Sequence, residues 1–64
     1  MKTKPQLENE IEQRIYNLLE KSPKTSSQIS RNLKLKIEEV GASLTILEMQ
    51  GIIEKLPGGA FQIK

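Results

Sequence analysis

Neither cysteine nor histidine occurs in this 64-residue chain; there is no tryptophan, one tyrosine and one phenylalanine. The first two absences exclude disulfides, thiol nucleophiles, imidazole bases and the usual transition-metal ligands together. No cofactor is expected, and an enzyme has no nucleophile–base pair or metal set to be built from. With so few aromatics there is no stacking platform for single-stranded nucleic acid. Long apolar runs are missing too. The longest are a few residues, far short of the ~20 that a membrane helix needs, so no membrane contact is expected. The start, Met1-Lys2-Thr3-Lys4-Pro5, has no apolar stretch behind its lysines and does not read as a signal peptide. A chain this short buries only ~60% of its unfolded surface and has no room for a deep catalytic pocket. What remains is one small binding module, expected in the cytoplasm.

The formal net charge of +2 is unevenly laid out. Residues 7–20 carry Glu8, Glu10, Glu12 and Glu20 against Arg14. Residues 21–35 carry Lys21, Lys24, Arg31 and Lys34 with no acid. Residues 36–50 turn acidic again, with Glu38, Glu39 and Glu48 against Lys36. On charge alone, the basic stretch fits either a solvated surface or an anionic partner.

Residues 1–6 are polar, contain Pro5 and read as a linker, with the domain spanning 7–64. Over residues 7–20 the apolar positions Leu7, Ile11, Ile15, Leu18 and Leu19 fall on one helical stripe, and Ser22-Pro23 stops the helix. Thr25-Ser26-Ser27-Gln28 is a capping-box sequence opening a short second helix through Ile29 and Leu33. The spacing of Ile37, Val40, Leu44 and Leu47 predicts a third helix over 37–50 with that set buried and Gly51 as its terminating glycine. Gly41 lies inside this helix at a cost of about 1 kcal/mol relative to alanine, which predicts a close helix-to-helix approach there. Two β-prone runs, 52–56 and 60–64, flank Pro57-Gly58-Gly59 and read as a hairpin on a type II turn. The expected fold is mainly α with a β-hairpin: a winged helix-turn-helix of three helices and a C-terminal two-stranded wing. Its core is expected from Ile11, Ile15, Leu18, Ile29, Leu33, Val40, Leu44, Leu47, Ile53 and Phe61 or Ile63.

The run Leu44-Thr45-Ile46-Leu47-Glu48-Met49-Gln50-Gly51-Ile52-Ile53, followed by Leu56-Pro57-Gly58-Gly59-Ala60-Phe61, resembles the C-terminal winged-helix domain of the DNA-processing protein A (DprA/Smf) family. Thr25–Ile29 and Ile37–Val40 fit that family's second and third helices, so the resemblance covers about residues 7–64. The resemblance implies a bacterial, cytoplasmic accessory domain of natural transformation and DNA processing. In that family a larger Rossmann-like domain upstream binds single-stranded DNA and helps load a recombinase, and this chain then looks like an excised domain with a supplied Met1. Two departures stand out. Ala60 replaces a bulkier or basic residue, and the third helix is poor in Lys and Arg. A Z-DNA-binding winged helix is similar in architecture and in Pro57, but that family needs an Asn and a Tyr on the third helix and a Trp after the wing prolines, all missing here.

In helix-turn-helix proteins the recognition helix enters the major groove, where base readout calls for Arg, Lys, Asn or Gln. A step of 100° per residue from Leu44 instead places Ala42, Ile46 and Met49 on the exposed side, flanked by Glu38, Glu39 and Thr45. The two adjacent glutamates compensate the helix dipole and repel a phosphate. Ala42, Ile46 and Met49 are therefore candidates for a protein contact, with Met49 packed under the hairpin as the competing placement. Lys34, Lys36, Lys55 and Lys64, with Gly58 and Gly59 at the wing tip, are candidates for a weak, nonspecific DNA-backbone track. The expected partners are the upstream Rossmann-like domain, a recombinase or a second copy. The alternative function is a duplex-DNA-binding winged helix of a small transcriptional regulator.

Overall fold

The computed structural model describes residues 9–64, so Leu7 and the linker expected at 1–6 lie outside the described residues. Helix α1 spans Glu10–Leu19. Its N-cap is Asn9, whose Oδ1 accepts from the Ile11 and Glu12 backbone N–H groups at 2.8 and 3.4 Å. Glu10 and Glu12 occupy the first turn, where the helix dipole favours acids.

A two-residue strand, β1 (Lys24–Thr25), leads into α2 (Ser26–Leu33). The capping box forms in full: the Gln28 N–H donates to Thr25 Oγ1 at 3.2 Å, and the Thr25 N–H donates to Gln28 Oε1 at 2.9 Å. Helix α2 ends without glycine because Lys34 takes the left-handed conformation at φ 58°. The Leu35 N–H then returns to the Ser30 carbonyl at 3.0 Å, and Ser30 Oγ donates to the Leu35 carbonyl at 2.6 Å. Arg14 of α1 reaches across to donate to the Leu33 carbonyl at 3.3 Å, satisfying an acceptor at the helix end.

Helix α3 spans Ile37–Met49. Glu39 folds back to accept the Lys36 backbone N–H at 3.3 Å. At the other end Gly51 has φ 76°, and the Ile52 N–H donates to the Leu47 carbonyl at 3.0 Å, the long bond of a glycine-terminated helix. Strands β2 (Ile53–Lys55) and β3 (Ala60–Ile63) follow. Between them the Gly59 N–H donates to the Leu56 carbonyl at 3.0 Å, closing a turn with Pro57 and Gly58 at its centre. Gly58 and Gly59 both have φ 97°; the type II turn requires it at Gly58.

The sheet is antiparallel in the order β1-β3-β2, with Lys24 opposite Phe61, Lys55 opposite Phe61 and Ile53 opposite Ile63. It therefore has one strand more than the hairpin read from sequence. The architecture is three helices with a small β wing, a winged helix.

Ile15, Leu19, Ile29, Val40, Leu44, Leu47 and Ile53 form the buried core, with Tyr16 at its edge. Ile11, Leu18, Leu33, Phe61 and Ile63 pack around it only partly buried. The buried face of α1 is thus turned toward Tyr16 and Leu19, because β3 packs against that side of the helix. Two expectations are corrected. Ile37 is 48% exposed, since as the first residue of α3 it overhangs the core. Gly41 marks no close approach: a Cβ built there meets nothing within 4 Å.

Candidate functional site

Three faces of α3 follow from its 3.6-residue period. Val40, Ser43, Leu44 and Leu47 point into the core. Gly41, Thr45 and Glu48 face the wing and, with Lys55, Gly59 and Phe61, line a shallow concavity of about 380 Å³. The third face points away from the protein. Ala42, Ile46 and Met49 stand on it at steps of four and three residues, with Ile46 42% and Met49 82% exposed. Met49 does not pack under the hairpin. Glu38 and Glu39 border this stripe at its N-terminal end. No Lys, Arg, Asn or Gln occurs anywhere in the helix.

The structure places the six DNA-backbone candidates at the two ends of α3 and on the wing. Lys34 and Lys36 stand at the N-terminal end of α3. There the Lys36 N–H, a donor a phosphate would use, is already held by the Glu39 carboxylate at 3.3 Å. Lys64 lies beside the opposite end, its N–H donating to the Ile52 carbonyl at 3.0 Å. Thirteen helical residues separate the two ends, about 20 Å at 1.5 Å per residue. Lys55, Gly58 and Gly59 belong to the wing. The Lys55 ammonium sits 5.9 Å from the centroid of the half-buried Phe61 ring, within cation–π range.

A second surface feature is one that apolar periodicity alone does not single out. Arg14, Asn17, Leu18 and Lys21 of α1 and its C-terminal turn, with Leu33 of α2, line a groove of about 260 Å³. The signal was present in the spacing of 14, 18 and 21 along one side of α1, but the helix reads first as a core stripe. No group of three or more His, Cys, Asp or Glu side chains that could hold a metal ion occurs among the described residues. No helix among them is long and apolar enough to cross a membrane.

A search of curated proteins and of solved structures returns no significant match to this chain. The model of the DprA winged helix domain matches residues 2–59. That span includes all three helices, β1, β2 and the Pro57-Gly58-Gly59 turn on which the wing is built. With nearly the whole chain matched and the three-helix-plus-wing architecture in place, this protein belongs to the DprA winged helix domain family.

Proposed function

We propose that this domain is an accessory module of a DprA-like DNA-processing protein of natural transformation and recombinase loading, working in the bacterial cytoplasm mainly through protein contact. The observation that carries the reading is α3. On the face where a winged helix would read DNA it presents Ala42, Ile46 and Met49 bordered by glutamates, and no base-reading side chain. Two large apolar side chains in water contribute nothing to a lone monomer, whereas a protein surface desolvates them. The partner is the upstream Rossmann-like domain, a recombinase or a second copy. Binding to DNA is weak and nonspecific, through Lys34, Lys36 and Lys55.

The test is Ile46→Glu. The position is half-exposed on a helix, so the melting temperature stays close to that of the parent chain. Association with a DprA-type Rossmann domain or recombinase in a pull-down falls by about 2 kcal/mol or more, as for a desolvated anchor. Unfolding of the variant would return Ile46 to the core; full stability with unaltered association would make the face idle. A parallel titration with duplex DNA at low salt separates the regulator reading. Lys34→Ala with Lys36→Ala should weaken all duplexes alike and flatten the salt slope by about one unit per lost contact. A sequence-selective complex that survives physiological salt would favour a transcriptional regulator instead.

A further inference from the structure

Arg14, Leu18 and Lys21 follow one another along α1 at helical spacing. Lys21 continues the row past the helix end, because its N–H donates to the Leu18 carbonyl at 3.2 Å. With Leu33 of α2 they line the α1–α2 groove, whose apolar part is the two half-buried leucines. A cation stands at either end of its α1 wall, and no acid lines it. Glu10, Glu12 and Glu20, the described acids nearest in sequence, lie outside it. The segment that builds the other wall, residues 21–35, also contains no acid. Arg14 is held in place over the groove. Its Nη2 donates to the Leu33 carbonyl at 3.3 Å, and the exposed guanidinium carries further N–H donors beside that one.

We propose that the α1–α2 groove binds an acidic, extended peptide segment of a partner protein, with one apolar side chain seated on Leu18 and Leu33 and flanking carboxylates on Arg14 and Lys21. The groove and the α3 stripe are separate surfaces, so this contact does not depend on the reading of α3. Three features select the occupant. The groove holds about 260 Å³, below the ~300 Å³ at which small-molecule sites begin, so what enters is a side chain presented by a larger partner. Cations without an acid call for carboxylates or phosphates. A phosphodiester backbone would meet those cations and leave the two leucines in water, whereas a peptide supplies both chemistries at once. The spacing sets the motif. Arg14 and Lys21 are about 10 Å apart along the helix at 1.5 Å per residue. In an extended segment every second side chain points the same way, so an apolar residue with an acid two positions to either side spans about 13 Å. The long Arg14 and Lys21 side chains take up the difference. The anchored guanidinium gives the carboxylate at its end a fixed partner, which lowers the ordering cost of binding.

Titrating the isotope-labelled chain with the blocked peptide Gly-Glu-Ser-Leu-Ser-Glu-Gly, followed by NMR, tests this. The amide signals of Leu18, Lys21 and Leu33 should move, and the affinity should fall as salt is added. The same peptide with serine in place of leucine, or with glutamine in place of both acids, should bind about tenfold more weakly or worse. Lys21→Glu, at an exposed position, should weaken the parent peptide by a similar factor. One of the two peptides with a single acid replaced by lysine should then recover binding to that variant, which also fixes the direction in which the segment lies. A thermal melt verifies the fold, and where Lys21→Glu fails to fold, Lys21→Gln should still weaken the parent peptide. Ile46→Glu should leave peptide binding unchanged. No shift of the groove amides at about 1 mM peptide would overturn the proposal. So would equal binding of the serine peptide, undiminished binding to the Lys21 variants, or loss of binding in Ile46→Glu, which would move the contact to α3. A DNA duplex that moves the same amides at lower concentration than the peptide would overturn it in favour of a nucleic acid.

Discussion

Replacing Gly41 with alanine should stabilise this protein. Gly41 lies in the second turn of α3, and a glycine inside a helix is ordinarily explained by crowding or by a positive φ. Neither applies. A Cβ built at Gly41 has no neighbour within 4 Å, and the glycines with positive φ are Gly51, Gly58 and Gly59. What is left is the backbone freedom that glycine loses on folding, about 0.8–1.0 kcal/mol against alanine. The local hydrogen bond survives the change, because Thr45 Oγ1 donates to the Gly41 carbonyl at 2.9 Å and alanine keeps that carbonyl. In a domain of this size ~1 kcal/mol corresponds to a rise of about 4–8 °C in Tm. Thermal melting followed by far-UV circular dichroism measures it. Urea unfolding should give a higher midpoint with the same m value, as expected when only stability changes. Gly51→Ala is the control of opposite sign. At φ 76° its new side chain is strained, and the Tm should fall by an amount equivalent to about 1 kcal/mol or more. An unchanged or lowered Tm for Gly41→Ala would refute the reasoning, because it would mean that α3 runs closer to a neighbour than 4 Å.

The remaining predictions concern the core, the helix end and the wing. Ile29 is fully buried, so Ile29→Ala should cost about 2–5 kcal/mol, comparable to the whole stability of a domain this small, and leave the chain largely unfolded by circular dichroism; a cooperative melt near the parent Tm would remove Ile29 from the core. Lys34→Gly should raise the urea midpoint by the equivalent of about 0.5–1 kcal/mol, since Lys34 holds φ 58° against its own Cβ; a lower midpoint would show that the lysine side chain contributes more than the strain costs. Gly58→Val should cost more than ~1 kcal/mol through strain at φ 97°, and a neutral result in the same assay would discard the Pro-Gly turn.

Where side-chain chemistry and backbone geometry agree locally, the sequence was enough. The Thr25–Gln28 capping box, the Gly51 helix end and the Pro57-Gly58 turn are each written in a few adjacent residues, and each forms as written. Features that depend on a distant partner were not legible. Lys24–Thr25 carries no apolar alternation and becomes a strand only because β3 passes alongside it. The buried face of α1 is turned toward Tyr16, Leu19 and Glu12 by its sheet neighbour, and Glu12 is a residue that hydropathy assigns to water. Lys34 in the left-handed region gives no local signal, since glycine or asparagine is the usual occupant. For the candidate site, helical phase alone placed Ala42, Ile46 and Met49 on the outer face of α3. It could not show that Lys64 stands by the opposite end of α3 from Lys36, because that placement follows from how the last strand returns to the end of the helix.

The position of β3 in the sheet has a consequence for the order in which this protein is made. Helices α1, α2 and α3 leave the ribosome in sequence and can dock as they appear. The sheet cannot grow in that way. Its central strand, Ala60–Ile63, is synthesised after both of its neighbours, so Lys24–Thr25 and Ile53–Lys55 wait with their hydrogen-bonding edges open and the sheet-facing side of α1 uncovered. A fragment ending at Gly59 therefore holds all three helices and none of the paired sheet, with two unpaired strand edges available to proteases or to other chains. The four residues Ala60–Ile63 are what that fragment lacks to close both edges.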